Sequence, residues 1–144
     1  MIAAFASPVL GMAIDKVGKR AFMICLSSVI LIVAFASSMM MPECYQCYNE
    51  VFPLVLTGIG YSVYAAAIWG SIPYVVKPNT VGTAFGIATA IQNIGLVIAP
   101  TIVGMIKDAT REVDHGYFYV NLFFVGINMV GLLLNMWLYA IDIY

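Results

Sequence analysis

Few side chains in this sequence could react or hold a metal ion. Cys44 and Cys47 form a C-x-x-C pair, whose thiols either join in a disulfide in an oxidising compartment or remain free, and both alternatives stay open. Zinc needs four ligands in a structural site and the pair supplies two, so we expect no metal. No acid–base pair or nucleophile constellation is present. We therefore expect neither an enzyme nor a bound cofactor.

A segment near the start of the chain has the residue types of a tight turn between two helices. Residues 11–20 fit the pattern G-x-x-x-D-(R/K)-x-G-(R/K)-(R/K). Gly11 lets two helices approach closely, Asp15 can accept hydrogen bonds from the first amides of the next helix, and Gly18 supplies the turn angles. The predicted hairpin consists of Gly11, Asp15, Lys16, Gly18, Lys19 and Arg20.

Aromatic residues between 61 and 69 could contact a small molecule. At 100° per residue, Tyr61, Tyr64 and Ile68 fall within an arc of about 60° on a helix, and Trp69 flanks this arc. A tyrosine hydroxyl in apolar surroundings needs a partner or water, so the arc faces either protein or an aqueous cavity. Helix packing and ligand contact stay open as alternatives.

The next apolar stretch carries small and amide side chains. Gly82, Gly86 and Asn93 fall on one narrow stripe of a helix, which favours close packing and an interhelical hydrogen bond from Asn93. Gln92 lies about 100° away. We therefore predict that Gln92, rather than Asn93, faces a cavity.

Three asparagines recur at seven-residue spacing: Asn121, Asn128 and Asn135. On an α-helix such a repeat drifts by only about 20° per step, so the three amides share one face. We predict a hydrogen-bonded packing seam, either inside the protein or against a partner.

The composition identifies the environment that these residues occupy. Of the 144 residues, 63% are hydrophobic and only 9% are charged, and the mean hydropathy is +1.00. A soluble domain of this size cannot bury so much apolar surface, and disorder requires the opposite composition. The net charge of −1 leaves no basic surface for nucleic acid. These properties predict a membrane protein in a lipid bilayer.

Four charge-free stretches are long enough to cross that bilayer: 21–42, 51–76, 78–106 and 116–141. Each exceeds the roughly 20 residues that a spanning helix needs, and helices satisfy their backbone groups internally in lipid. The apolar stretch 1–14 is too short to span alone. We expect it to be the second half of a helix, with Met1 an internal start or a truncation point.

The loops between the spans predict an orientation. If four helices cross in turn, loops 15–20 and 75–81 lie on one side and carry four of the six Lys and Arg residues. Loops 43–50 and 107–115 lie on the other side with two. The positive-inside bias therefore predicts that 15–20 and 75–81 are cytoplasmic.

The hairpin pattern resembles the signature that the major facilitator superfamily places between the second and third helices of each six-helix half. Because four spans follow it, the chain 1–144 resembles a truncated C-terminal six-helix bundle, from the end of helix 8 through helix 12. Four segments are similar to helices 10 and 11 of the branch called major facilitator superfamily domain-containing protein 1, the lysosomal dipeptide transporters: Gly60-Tyr61-Ser62, Ala67-Ile68-Trp69, Gly82-Thr83-Ala84-Phe85-Gly86 and Ile91-Gln92-Asn93-Ile94-Gly95.

This resemblance implies a fragment of a solute transporter that works by alternating access, with the hairpin as a gating motif. It implies a dipeptide uniporter in the lysosome or another endomembrane, completed by a missing N-terminal half or an accessory membrane protein. Helix 10 then lines the substrate cavity, and the expected substrate-binding residues are Tyr61, Tyr64, Trp69 and Gln92.

The spans themselves carry no charge. Ligands for the charged ends of a dipeptide are therefore expected in the missing half. The alternative function is a short, non-transporting membrane subunit or scaffold that packs against partner proteins.

Overall fold

The computed structural model describes residues 18, 20–41, 48–114 and 117–143. Four long helices account for most of them: α1 Arg20–Met39, α2 Val51–Val75, α3 Val81–Ala109 and α4 Tyr117–Ile143. Short 3-10 helices precede α2 and α3, and one helical turn connects α3 to α4: Tyr48–Glu50, Pro78–Thr80 and Arg111–Asp114. No strand occurs in the described ranges. The prediction of an all-α fold is confirmed.

Each of the four helices is long and apolar enough to cross a membrane. The shortest has 20 residues and the longest 29, and at 1.5 Å per residue even the shortest is about 30 Å long. That length matches the hydrocarbon thickness of a bilayer. The predicted partial span 1–14 lies outside the described residues.

Helix α1 ends at Met39 rather than at residue 42, where the charge-free stretch ends. Pro42 disfavours helical angles in the residue before it, so the helix stops early. The next two backbone amides donate to the carbonyls of Ser37 and Ser38 at 3.2 and 3.4 Å. These bonds satisfy carbonyls that would otherwise lack a partner at a helix end.

Helix α3 begins and ends later than the stretch 78–106 from which it was predicted. Its first turn is a 3-10 helix, and the α-helix starts at Val81. At the other end, the amide and the hydroxyl of Thr110 both donate to the carbonyl of Ile106, at 3.0 and 2.7 Å. Lys107 in the last turn complements the negative end of the helix dipole. The helix therefore extends beyond the charge-free stretch, to Ala109.

The chain divides into two compact units whose limits fall inside α2 and α4. One unit is Met1–Trp69 with Asn121–Tyr144, and the other is Gly70–Val120. The first contains α1, most of α2 and most of α4. The second contains the end of α2, all of α3 and the first turn of α4. Each unit is described by itself.

In the first unit, two of the three predicted asparagines bond to serines of α1. Nδ2 of Asn121 donates to Oγ of Ser38 at 3.4 Å, and Nδ2 of Asn135 donates to Oγ of Ser28 at 3.2 Å. Between transmembrane helices such bonds stabilise association, because lipid offers the amides no alternative partner. These two pairs fix α4 against the middle and the C-terminal end of α1.

Aromatic pairs lie between and beyond these hydrogen bonds. The rings of Phe35 and Phe124 are stacked with centroids 4.9 Å apart, and those of Phe22 and Tyr139 are 6.4 Å apart. Contacting residues further along α4 pair with residues progressively earlier in α1. The two helices are therefore antiparallel.

Asn128, the middle member of the repeat, behaves differently. Its Nδ2 donates to the carbonyl of Phe124, one turn earlier in its own helix, at 2.8 Å. In the antiparallel alignment, Asn128 falls beside the apolar residues Leu31 and Ile32 of α1, which offer no side-chain acceptor. The amide therefore bonds to its own backbone.

Helix α2 packs against α1 at Gly60. Pro53, Gly60 and Ala67 are buried at seven-residue intervals on α2. A Cβ atom added at Gly60 would lie 3.0 Å from Leu31 and 3.1 Å from Ile30. Small residues let transmembrane backbones approach this closely, so Gly60 sets the spacing between α1 and α2.

In the second unit, one contact links the end of α3 to the start of α4. Nζ of Lys107 donates to the hydroxyl of Tyr117 at 3.2 Å and lies 4.8 Å from the centre of its ring. An ammonium over an aromatic face is attracted to the ring quadrupole. This contact closes the turn between the two helices.

We expect Gly60→Ala to destabilise the protein by about 1–3 kcal/mol, because the added methyl overpacks the contact with Leu31. Gly58→Ala is the matched control, since a Cβ there meets no atom within 4 Å and alanine favours a helix. The measurement is thermal unfolding of the purified full-length protein in detergent. Equal shifts for the two variants would contradict the assigned contact.

The bond from Asn135 to Ser28 predicts an energetic coupling of about 0.6 kcal/mol. It is measured as a double-mutant cycle of Ser28→Ala and Asn135→Ala on the free energy of unfolding. Asn128→Ala with Ser28→Ala serves as the comparison cycle and should show no coupling, because Asn128 bonds to its own helix. Coupling of the same size in both cycles would refute the pairing.

Candidate functional site

The two tyrosines predicted to contact substrate lie near the middle of α2. Tyr61 is 50% exposed and Tyr64 is 37% exposed. Neither hydroxyl has a hydrogen-bond partner among the described residues. One turn apart, the two rings share a face. This face offers two phenol hydroxyls that the first unit itself leaves unsatisfied.

Such hydroxyls are costly to leave against lipid. A hydroxyl buried in an apolar medium without a hydrogen bond loses about 1–3 kcal/mol on scales derived from protein mutations. The face of Tyr61 and Tyr64 is therefore expected to meet polar protein groups, water or a ligand. Trp69, two turns beyond Tyr61, is half-buried in the same helix.

Two exposed carboxamides occupy the middle of α3, in the second unit. Gln92 and Asn93 are both exposed, and no hydrogen bond to either side chain occurs among the described residues. The neighbouring hydroxyl of Thr89 is satisfied, since it donates to the carbonyl of Phe85 at 2.8 Å. In the middle of α3, the side chains without hydrogen-bond partners among the described residues are thus these two adjacent amides.

The glycines predicted to pack α3 closely face open space. A Cβ atom added at Gly82 or Gly86 would meet nothing within 4 Å among the described residues. No residue of α3 is buried. The packing role of Gly82, Gly86 and Asn93 therefore stays a prediction that requires neighbours beyond the described part of the chain.

The predicted ligand residues do not all lie in one unit. Tyr61, Tyr64 and Trp69 belong to the first unit, and Gln92 belongs to the second. Their joint role in one binding site stays a prediction.

Most of the predicted hairpin lies outside the described residues: Gly11, Asp15, Lys16 and Lys19. Gly18 has a φ of 68°, the left-handed region that glycine adopts without strain. Arg20 is the first residue of α1. Cys44 and Cys47 also lie outside the described part of the chain. No group of His, Cys, Asp or Glu suited to a metal ion occurs within that part.

Sequence reasoning did not assign a role to one polar cluster at the C-terminal end of α1. The hydroxyl of Ser38, which accepts the bond from Asn121, donates to Oε2 of Glu50 at 3.4 Å. The cluster links α1, the turn before α2, and α4. The seven-residue spacing of the asparagines predicted a packing seam that includes Asn121. Nothing local in the sequence indicated that Ser38 and Glu50 would form hydrogen bonds at that seam.

The chain is similar in sequence to known membrane transporters. A family profile described as Major Facilitator Superfamily matches residues 1–142. The lysosomal dipeptide transporter MFSD1 of Danio rerio is 33% identical over 144 residues, which is 100% of this chain and 29% of the relative. The human protein of that name is 34% identical over 143 residues, or 99% of this chain and 28% of the relative.

A more distant relative is autophagy-related protein 22-1 of Aspergillus terreus, 32% identical over 80 residues, or 53% of this chain and 13% of the relative. No solved structure matches the chain significantly. The chain spans less than a third of the length of the curated transporters it matches. Because the family profile covers nearly every residue, and four helices suit a membrane, the chain belongs to the major facilitator superfamily.

Proposed function

We propose that this chain is part of a lysosomal dipeptide transporter that works by alternating access. The observation that carries the proposal is the 33–34% identity to lysosomal dipeptide transporters along essentially the whole chain. In such a protein, two helical bundles rock around a central site. This chain supplies helices of one bundle, which we assign to the end of helix 8 through helix 12.

The substrate contribution of this part is polar but uncharged. The hydroxyls of Tyr61 and Tyr64 and the carboxamide of Gln92 can bond to the peptide amide and carbonyl groups. Trp69 adds an aromatic wall. A zwitterion also needs opposite charges in a low-dielectric cavity, and no helix interior here carries one. The remaining helices of the transporter supply them.

The exposed amides of α3 support the presence of those helices. A carboxamide facing lipid at mid-membrane depth is unfavourable, and Gln92 and Asn93 both lack partners among the described residues. We assign Gln92 to the substrate cavity and Asn93, on the stripe of Gly82 and Gly86, to helix contacts. The hairpin 11–20 gates the cytoplasmic side, where we also place loop 75–81.

Reconstitution tests the proposal. The full-length transporter in proteoliposomes should carry a labelled dipeptide down its concentration gradient. Unlabelled dipeptides should compete with this uptake, whereas free amino acids should not. Vesicles without protein give the background. Flux of another solute class without any dipeptide flux would reject the substrate assignment while leaving the family membership intact.

The two adjacent amides provide a matched pair of variants. Gln92→Leu should raise the KM for dipeptide about five- to tenfold, the cost of one lost hydrogen bond. Asn93→Leu should leave the KM unchanged once transport is normalised to folded protein, because its assigned contacts are to helices. The measurement is initial uptake over a range of dipeptide concentrations. Reversed effects would exchange the two assignments.

A further inference from the structure

Pro100 interrupts the backbone hydrogen bonds of α3 close to the middle of that helix. It lies inside the range Val81–Ala109, and proline has no backbone N–H to donate. In an α-helix that N–H would bond to the carbonyl four residues earlier, which here belongs to Leu96. The proline ring also crowds this carbonyl. Pro100 therefore leaves the carbonyl of Leu96 without its usual donor.

The hydroxyls of α3 do not replace the missing donor. When proline interrupts a membrane helix, a serine or threonine side chain can satisfy the freed backbone group. Thr101 directly follows Pro100, but its hydroxyl donates to the carbonyl of Val97 at 2.9 Å. No side chain donates to the Leu96 carbonyl within the part of α3 that the structure describes. Because an unbonded carbonyl is costly in an apolar medium, this one needs a donor from outside the helix.

The freed carbonyl lies on the face of α3 that carries Gln92. One turn separates the two residues, which differ by about 40° around the helix and about 6 Å along it. Leu96 is 63% exposed and Gln92 is also exposed. The carboxamide of Gln92 can both donate and accept hydrogen bonds. One exposed face thus combines a backbone acceptor with a side-chain amide.

A single dipeptide is long enough to contact both groups. An extended dipeptide spans about 7 Å, which is close to the separation of Leu96 and Gln92 along the helix. While its peptide group pairs with Gln92, one end reaches the Leu96 carbonyl. A carbonyl accepts only from donors, and a charge-assisted hydrogen bond is roughly twice as strong as a neutral one. The ammonium end of the dipeptide therefore fits this carbonyl best.

We propose that the Leu96 carbonyl, freed by Pro100, binds the ammonium group of the peptide substrate beside Gln92. This inference rests on the proposed function, which places Gln92 in the substrate cavity. The helix interiors of this chain carry no charge, and a backbone dipole can orient an ammonium without one. The opposite charge itself comes from the remaining helices of the transporter, as proposed above.

The first test restores the missing donor. Pro100→Ala returns an N–H to residue 100, which then bonds to the Leu96 carbonyl and competes with the ligand. In the full-length transporter in proteoliposomes, the KM for a free dipeptide should rise roughly tenfold, the cost of one hydrogen bond to a charged group. Pro78→Ala is the matched control, because Pro78 lies at the start of a 3-10 helix, where an N–H has no intrahelical acceptor. Its KM should stay unchanged.

A ligand that lacks the ammonium separates binding from a change in helix shape. A des-amino dipeptide, in which hydrogen replaces the ammonium, should inhibit uptake with the same inhibition constant in wild type and Pro100→Ala. A straightened helix would instead weaken both ligands by the same factor. An equal loss for both ligands, or an unchanged KM for the free dipeptide, overturns the proposal.

An ester substitution weakens the carbonyl and leaves Pro100 in place. The α-hydroxy acid of valine at position 97 turns the carbonyl of Leu96 into an ester carbonyl, a weaker acceptor, and should raise the KM about two- to fivefold. The α-hydroxy acid of isoleucine at position 98 deletes one N–H in the same way but weakens the carbonyl of Val97, so the KM should not change. Equal effects at the two positions overturn the assignment to Leu96. Absence of dipeptide flux in wild type instead rejects the proposed function, and this inference with it.

Discussion

Polar groups inside a membrane must find partners within the protein, and this requirement organises the first unit. Between helices in lipid there is little hydrophobic driving force, so association depends on packing and on the few hydrogen bonds available. The serines of α1 meet the requirement twice. Ser27 and Ser28 both donate to the carbonyl of Ile24, at 2.7 and 3.1 Å, and Ser28 then accepts from Asn135.

The second unit has the opposite character. Helix α3 carries no buried residue, and its central amides have no partners among the described residues. The contrast lies between α1 and α4, whose polar side chains bond to each other, and α3, whose central amides have no such bonds among the described residues.

The sequence predicted the helices well because the bilayer imposes length and composition on each one separately. Charge-free stretches therefore predicted four helices, and the structure differs from that prediction at helix ends, as at the end of α1 and at both ends of α3, where local backbone effects decided the boundary. The seven-residue repeat likewise placed Asn121, Asn128 and Asn135 on one face. Whether each amide bonds across to α1 or to its own helix depended on the residue opposite, which a local pattern does not contain.

Close contacts were harder to predict than helices. Gly82 and Gly86 form an evident small-residue pattern, yet among the glycines that the structure describes the close approach occurs at Gly60, because a bulky pair from another helix lies opposite it. Shared faces such as that of Tyr61 and Tyr64 follow from helical period alone. What contacts those faces depends on three-dimensional neighbours, so the ligand assignments remain proposals.

The pairing of α1 with α4 also has a consequence for biogenesis. Ser28 and Asn135 are 107 residues apart, so at roughly 5–20 residues per second the ribosome needs about 5–20 s to deliver the partner of α1. During that interval α1 is synthesised without its partner helix. The bonds from Ser27 and Ser28 to the carbonyl of Ile24 keep both hydroxyls satisfied while the helix waits. The same serine is thus a self-sufficient group in the newly inserted helix and a ready acceptor once α4 arrives.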